Sequence, residues 1–401
     1  MTRAAPAGLP EAQRRRSLFF LGLAVAGAGL AMALQLGLNE NFLVEQLGVQ
    51  PLQRGVLESV RELCGVAAIG VLALVAGLAE PVVGAAMLLL LGVGLGAYAF
   101  TYEYRWVVAW SLVWSVGFHV WVPLPQAMAL ALAEPGRAGH RLGQTSAAGA
   151  AGFGAGLGLA LGLVLAGVAI RPLYLVAAAG GALGAAACLG IHRRLKTPGP
   201  KFVFRRRYAL YYGLSFLEGW RKQIFICFAG FLLVRVHHTP LWGILALWMA
   251  VQAIGYVAAP RVGRLIDRVG ERRVLVFYFA SLAVFFVGYA TVPSRPVLYA
   301  IFVADNAFFV FAMALTTYVN RIAPKEEHTP TLGMGVAVNH VAAVTMPLVG
   351  GVLWDRLGYQ WPFLVGAAAA AASVLVALRV PRHLPAEAPA PPGGPETPPG
   401  A

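Results

Sequence analysis

Charge is what this chain has least of. Only 12% of its 401 residues are Asp, Glu, Lys or Arg against 59% apolar, and the mean hydropathy is +0.71. Such a chain cannot cover itself with a solvated surface, which excludes an ordinary soluble domain and makes a bilayer the solvent. Cysteine is scarce as well: Cys64, Cys188 and Cys227 stand far apart in apolar stretches, which excludes a disulfide framework and zinc-ligand spacing. The sequence has no G-x-x-x-x-G-K-[ST] phosphate loop, so direct ATP hydrolysis is excluded. It also shows no compact nucleophile, acid–base or metal constellation, so no enzyme activity, no metal and no other cofactor is expected.

What is abundant is apolar sequence in runs long enough to cross hydrocarbon, about 20 residues each. Twelve spans are predicted, at 17–42, 54–78, 82–101, 106–132, 142–167, 171–192, 208–235, 241–260, 273–292, 296–320, 331–353 and 360–380. They must be helices, because a single apolar segment in lipid satisfies its own backbone hydrogen bonds only that way. The longest internal polar stretch, 193–207, carries prolines and basic residues and reads as a linker between a six-helix bundle at 17–192 and another at 208–380. Residues 1–16 precede the first bundle. The segment 381–401, rich in proline and glycine, is expected to be a disordered tail.

Lysine and arginine set the orientation. With the N-terminus inside, 22 of the 31 basic residues fall on the cytoplasmic side and six on the outer side: Arg54, Arg105, Arg171, Arg235, Arg295 and Arg356. Both termini are then cytoplasmic. The same basic loops, lying against anionic headgroups, account for the net charge of +14 without a nucleic-acid partner. The run after Arg14-Arg15-Arg16 is too long for a cleaved signal and reads as a permanent helix. The excess of arginine over lysine, with much alanine and glycine, points to a GC-rich bacterial genome and hence to the inner membrane.

One short loop is more specific than composition. Gly263-Arg264-Leu265-Ile266-Asp267-Arg268-Val269-Gly270-Glu271-Arg272-Arg273 resembles the G-x-L-x-D-R-x-G-R-R signature of the major facilitator superfamily, which joins paired transmembrane helices. The resemblance implies an all-α polytopic fold of two pseudo-symmetric six-helix bundles. It also implies a secondary transporter working as a monomer on a small molecule, with protons as the expected coupling partner. Asp267 among Arg264, Arg268 and Arg272 is then expected to act as a latch, or else the arginines serve only as positive-inside anchors. In the first half, Gly77 and Gly84 repeat the glycine spacing, but Pro81 stands where the aspartate belongs. The G-P-x-x-G-G run of proton-coupled antiporters is degenerate here as Gly152-Phe153-Gly154-Ala155-Gly156-Leu157. An internal repeat is faint, relating Leu142-Gly143 to Leu332-Gly333.

Charges inside spans carry the functional expectation, since each costs roughly 2.5 to 3.5 kcal/mol at the bilayer centre. In helix seven, Glu218, Arg221 and Lys222 fall on one face by the i, i+3, i+4 rule. The resemblance makes helices one, four, seven and ten the lining of a central cavity. Arg221 or Lys222 is then expected to meet an anionic substrate while Glu218 neutralises them or carries a proton; a permanent internal ion pair is the alternative. Helix ten contributes Asp305, Asn306 and Asn320 on a polar arc with Phe309 and Thr316, and Asp305 is a second proton candidate. Helix four places Ser111, Ser115, His119 and Gln126 opposite its tryptophans, and helix one adds Gln35 and Asn39. Glu58, Arg61 and Glu62 of helix two, with His340 of helix eleven, form either a gate between the halves or an ion pair within one helix. The substrate expected from this set is a small organic anion or zwitterion, with efflux of lipophilic compounds as the alternative. A transporter-like receptor is the reading from a different class.

Overall fold

The computed structural model describes residues 9–196 and 204–381; the middle of the expected linker and the tail from 382 onward lie outside the described residues. The first half consists of α1 (Glu11–Gln46), α2 (Pro51–Leu74), α3 (Glu80–Phe100), α4 (Tyr104–Leu132), α5 (Ala138–Leu165) and α6 (Ile170–Leu189). The second consists of α7 (Ala209–Ile224, prolonged by Phe225–Ala229 and Gly230–Arg235), α8 (Leu241–Val269), α9 (Glu271–Thr291), α10 (Arg295–Ile322), α11 (Lys325–Leu357) and α12 (Gln360–Ala377). No strand occurs among the described residues.

Ten of these helices are long and apolar enough to cross a membrane on composition alone. The two that are not, α2 and α7, are the ones interrupted by charge: Arg54, Glu58, Arg61 and Glu62 in one, Glu218, Arg221 and Lys222 in the other. Most of these charges turn inward, as the cost of exposing an ion to lipid requires of a spanning helix.

The halves share one packing plan. In the first, α1 packs on α5 and α6, α3 on α4 and α6, and α2 on α4; in the second, α7 packs on α11 and α12, α9 on α10 and α12, and α8 on α10. Each pair is its counterpart moved on by six helices. The expected internal repeat is therefore carried by contacts far more clearly than by residues. Across the halves, α2 lies on α11 and α5 on α8, again a symmetric set.

Local sequence explains several ends. Pro51 opens α2, with Gln50 capping its first turn, so the helix starts earlier than predicted and Arg54 falls inside it. Gly77 and Gly270 both adopt positive φ, +82° and +81°, in the turns that lead into α3 and α9, a conformation that favours glycine. The counterpart of Gly270 is thus Gly77, whereas Gly84 lies within α3 against Trp121 and Cys188. The sequence pairing of Gly84 with Gly270 is therefore seven residues, about two helical turns, out of register. Both α1 and α7 contain a π-helical turn, at Phe42–Gln46 and Phe225–Ala229. Such turns release backbone groups and recur at functional sites.

Candidate functional site

The start of α1 and the end of α12 lie on one face, the terminal face. Cross-half hydrogen bonds of the described residues cluster toward the opposite, far face. Asn41 donates to the Thr239 carbonyl at 3.1 Å, and Arg235 to the Val49 carbonyl at 3.2 Å and the Gln50 side chain at 2.5 Å. Gly55 of α2 abuts the Pro347 carbonyl of α11, Gly351 lies against Pro51, and Gly37 meets Leu245. Toward the terminal face, Gly139 and Gly143 of α5 and Gly255 and Gly263 of α8 have open space where a side chain would stand. The charge ties of that face stay within a half. Glu134 links to Arg14 and Arg141, Glu327 to Arg205, Arg207 and Tyr208, and Glu271 to Arg321. The halves are joined on the far side and released from each other on the terminal side.

A continuous polar network runs along the joined side. Arg54, 2% exposed, donates to Glu40 at 3.2 and 2.9 Å and to Glu58 at 2.8 Å, and it reaches the Ile226 carbonyl in the π-helical turn of α7 at 3.3 Å. Gln223 of α7 donates to Glu58 at 2.9 Å, and Arg61 also pairs with Glu58. Asn39 donates to Glu40 at 2.9 Å. Gln35, Asn39, Glu40, Arg54 and Arg61 face Phe225, Trp248 and Phe302 across a cavity of about 40 Å³ between the halves. Arg54, Glu40 and Gln223 belong to this network although sequence reading passed over them. The signal for the first was present: Arg54 and Glu58 stand at i, i+4.

One step further toward the terminal face, Glu62 of α2 meets His340 of α11 at 2.9 Å. The His340 ring lies 5.3 Å from that of His119 on α4. His119 Nδ1 is 2.8 Å from the Ser115 carbonyl and 3.1 Å from its hydroxyl, while that hydroxyl donates to the Arg61 carbonyl at 3.1 Å. Lys222 donates to Asn339 at 2.9 Å. The helix-two charges and His340 are thus brought together across the halves, as well as within α2. Gln126 is exposed near the terminal end of α4 and joins none of this.

Glu218 and Arg221 turn the other way, into the second half. Arg221, with no exposure at all, donates to Glu218 at 3.2 and 2.7 Å and to Tyr278 at 3.2 Å, and stands 3.6 Å from Asp305. Its guanidinium also lies 5.0 Å from the centre of the Phe309 ring. One cation therefore serves two carboxylates, and neither oxygen of Asp305 makes a hydrogen bond among the described residues. The expected common face of Glu218, Arg221 and Lys222 is divided: the first two point into the half and Lys222 toward α11. The polar arc of α10 is divided too, because a 3₁₀ turn at Phe309–Ala312 shifts the helical phase. Asp305 is buried, Asn306 bonds the Phe302 carbonyl at 3.1 Å, and Asn320 is exposed. Of the tryptophans on α4, Trp114 is a packing residue, donating to Tyr98 at 3.2 Å beneath Arg61.

The family model described as Major Facilitator Superfamily matches residues 242–399. A mutant of the nucleoside transporter NupG superposes with a TM-score of 0.76 at 14% identity, covering 90% of this chain and 99% of that one. The second half of the chain thus matches the superfamily's family model, and the whole chain is similar in fold to solved transporters. Another similar structure is a bacterial homolog of the human lysosomal transporter Spinster in an inward-facing, occupied conformation, with a TM-score of 0.72 at 13% identity over 94% of this chain and 100% of that one. The human organic anion transporter MFSD10 gives 0.58 at 15% identity over 92% and 100%. At these identities the likeness is one of fold. No curated protein matches the chain significantly.

The superfamily's loop signature takes a different form from the expected latch. Asp267, Arg264 and Arg268 are exposed and Arg272 half-buried, and the signature aspartate forms no ion pair among the described residues. The carboxylate that ties the loop down is Glu271, the first residue of α9, which receives Arg321 from the end of α10 at 2.5 Å. Asp267, Arg268, Glu271, Arg272 and Arg321 line a surface cavity of about 550 Å³ there. The degenerate antiporter motif of the superfamily has become a packing seam: Gly152 abuts the Ala26 carbonyl of α1, and Gly156 lies against Leu30 and Ala33.

Proposed function

We propose that the protein is a proton-driven secondary transporter that carries a small organic anion or zwitterion across a bacterial inner membrane by alternating access. The observation that carries this reading is the one-sided joining of the halves: polar and glycine contacts hold the far face while the terminal face is released. By the positive-inside rule the terminal face is cytoplasmic, so the conformation is open to the cytoplasm and the α2–α11 seam is the closed outer gate. Two six-helix units meeting through symmetric helix pairs have a mirror arrangement available, with the terminal face joined instead.

The cavity beneath the gate supports the substrate class. Arg61 and the amides of Gln35 and Asn39 stand on one wall, with Phe225, Trp248 and Phe302 on the other, which suits a solute with a charged end and a flat or apolar body. At about 40 Å³ it holds little more than water, as a site squeezed by the closed outer gate would. Coupling is assigned to the Glu218, Arg221 and Asp305 cluster, where two carboxylates share one guanidinium and charge balances when one proton is bound. Movement of that proton changes how α7 holds α9 and α10.

Flux into proteoliposomes tests the reading. A proton gradient is expected to accelerate uptake of an organic anion by the wild type, and Asp305→Asn to abolish the acceleration while leaving solute exchange. Uptake indifferent to the gradient removes protons from the mechanism. A panel of anions and zwitterions without any exchange removes the substrate class.

A further inference from the structure

Glu62, His119 and His340 come from α2, α4 and α11, two helices of the first half and one of the second, and sequence spacing gives no hint that they meet. In the fold, one ligand-capable atom from each lies within 4.8 Å of the others. We propose that these three side chains form a binding site for a divalent transition-metal ion of the zinc type, clamping the two halves together.

The donor set fits. Two imidazoles and a carboxylate with a fourth position left for water is a common zinc arrangement, and cobalt and nickel accept it as well. Ligand bonds of about 2.0–2.1 Å in a tetrahedron put donor atoms about 3.3 Å apart, so side-chain adjustments of the order of 1 Å convert the observed cluster into a coordination sphere. Glu62 and His340 are already 2.9 Å apart, and the ion would replace the hydrogen they share.

The surroundings are those of a ligand site. His119 Nδ1 is held by the Ser115 carbonyl at 2.8 Å, which fixes this nitrogen as the protonated one and leaves Nε2 free to bind. Gly65, one turn from Glu62, makes the room. A Cβ at that position would stand 2.6 Å from both Cε1 and Nδ1 of His340 and 3.1 Å from Cδ2 of His119. Arg61 and Lys222, the neighbouring cations, are engaged by Glu58 and Asn339. Since the ligands span both halves, the ion favours the conformation in which α2 and α11 meet, by the amount of its binding free energy there.

The experiment uses untagged full-length protein in detergent, stripped with chelator and titrated with Co²⁺ and then Zn²⁺. One equivalent of Co²⁺ is expected to give visible d–d absorption of a low-coordinate site with nitrogen ligands, displaced by Zn²⁺, and Zn²⁺ to raise the melting temperature where Mg²⁺ does not. His119→Gln and His340→Gln each weaken Co²⁺ at least about tenfold, by comparison with the 10- to 100-fold cost of losing an outer-sphere partner. The double substitution of His237 and His238 by Ala leaves the signal intact. Absence of the absorption in the wild type overturns the site without reference to any variant. Equal binding by the His119 and His340 variants overturns it as well, by placing the ion on surface histidines.

Discussion

At the scale of the residue, the second half is organised around a single guanidinium. Arg221 is the only cation contacting Glu218 and Asp305 among the described residues, and all three are buried. Removing one partner of such a cluster leaves uncompensated charge in a low-dielectric interior, at about 3–5 kcal/mol. Arg221→Met is therefore expected to lower detergent melting temperature sharply. The triple variant that also carries Glu218→Gln and Asp305→Asn should recover most of the loss, because no charge is then stranded. A triple variant as unstable as the single one would show that shape, not charge, holds this region.

On the terminal face, Glu134 is pulled down to about 2 by the hydrogen bonds it receives from Arg141, with further attraction from Arg14. A depressed carboxylate contributes stability above its ordinary value near 4.5, and loses it as pH falls through its folded value. The melting-temperature difference between wild type and Glu134→Gln is expected to be constant from neutral pH down to about 5 and to shrink below that. A difference that grows on acidification would contradict the assignment. Both residues sit in sequence where any reader sees them, seven apart across a Pro-Gly turn, yet only the turn's geometry shows that they clasp.

At the scale of the element, α2 and α11 form the seam on which the proposed outer gate depends. Gly55 and Gly351 let the two backbones touch, and a methyl group at Gly55 collides with the Pro347 carbonyl. Overpacking of this kind costs about 1–3 kcal/mol. Gly55→Ala is expected to shift the protein away from the proposed cytoplasm-open state, seen as increased reactivity of a cysteine placed on the far-face part of α11. Unchanged reactivity would mean that the seam does not set the equilibrium. The helices themselves are largely legible, since twelve apolar runs predict twelve spans and a lone apolar run in lipid satisfies its backbone only as a helix. Their interruptions are not. The π turn in α7 lies where Arg54 of α2 engages the Ile226 carbonyl, a contact no helical wheel contains. A wheel drawn at constant pitch likewise puts Asp305 and Asn320 on one face, while the fold separates them.

At the scale of the whole molecule, the orientation that the positive-inside rule predicts can be checked directly. The native cysteines are all buried, so introduced ones report cleanly. In intact cells, Ser294→Cys in the loop before α10 is expected to react with a membrane-impermeant maleimide. Ala138→Cys at the start of α5 should react only after permeabilisation. The reverse pattern would invert the membrane topology and turn the proposed outer gate into an inner one.

Reading along the chain is enough to recognise a helical membrane protein, to locate its spans and to see which superfamily it resembles. Those properties depend on local quantities: hydropathy summed along a run, charge counted per loop, and a loop motif read in order. Which charges face one another is a property of the packed helices. Arg54, one of the six basic residues assigned to the outer side, is buried; Glu218 and Arg221 share a wheel face with Lys222 yet point away from it; and Glu62, His119 and His340 share no spacing yet meet. Pairing across helices is set by how two bundles pack and by the rotation of each helix about its own axis. No window along the chain contains that information.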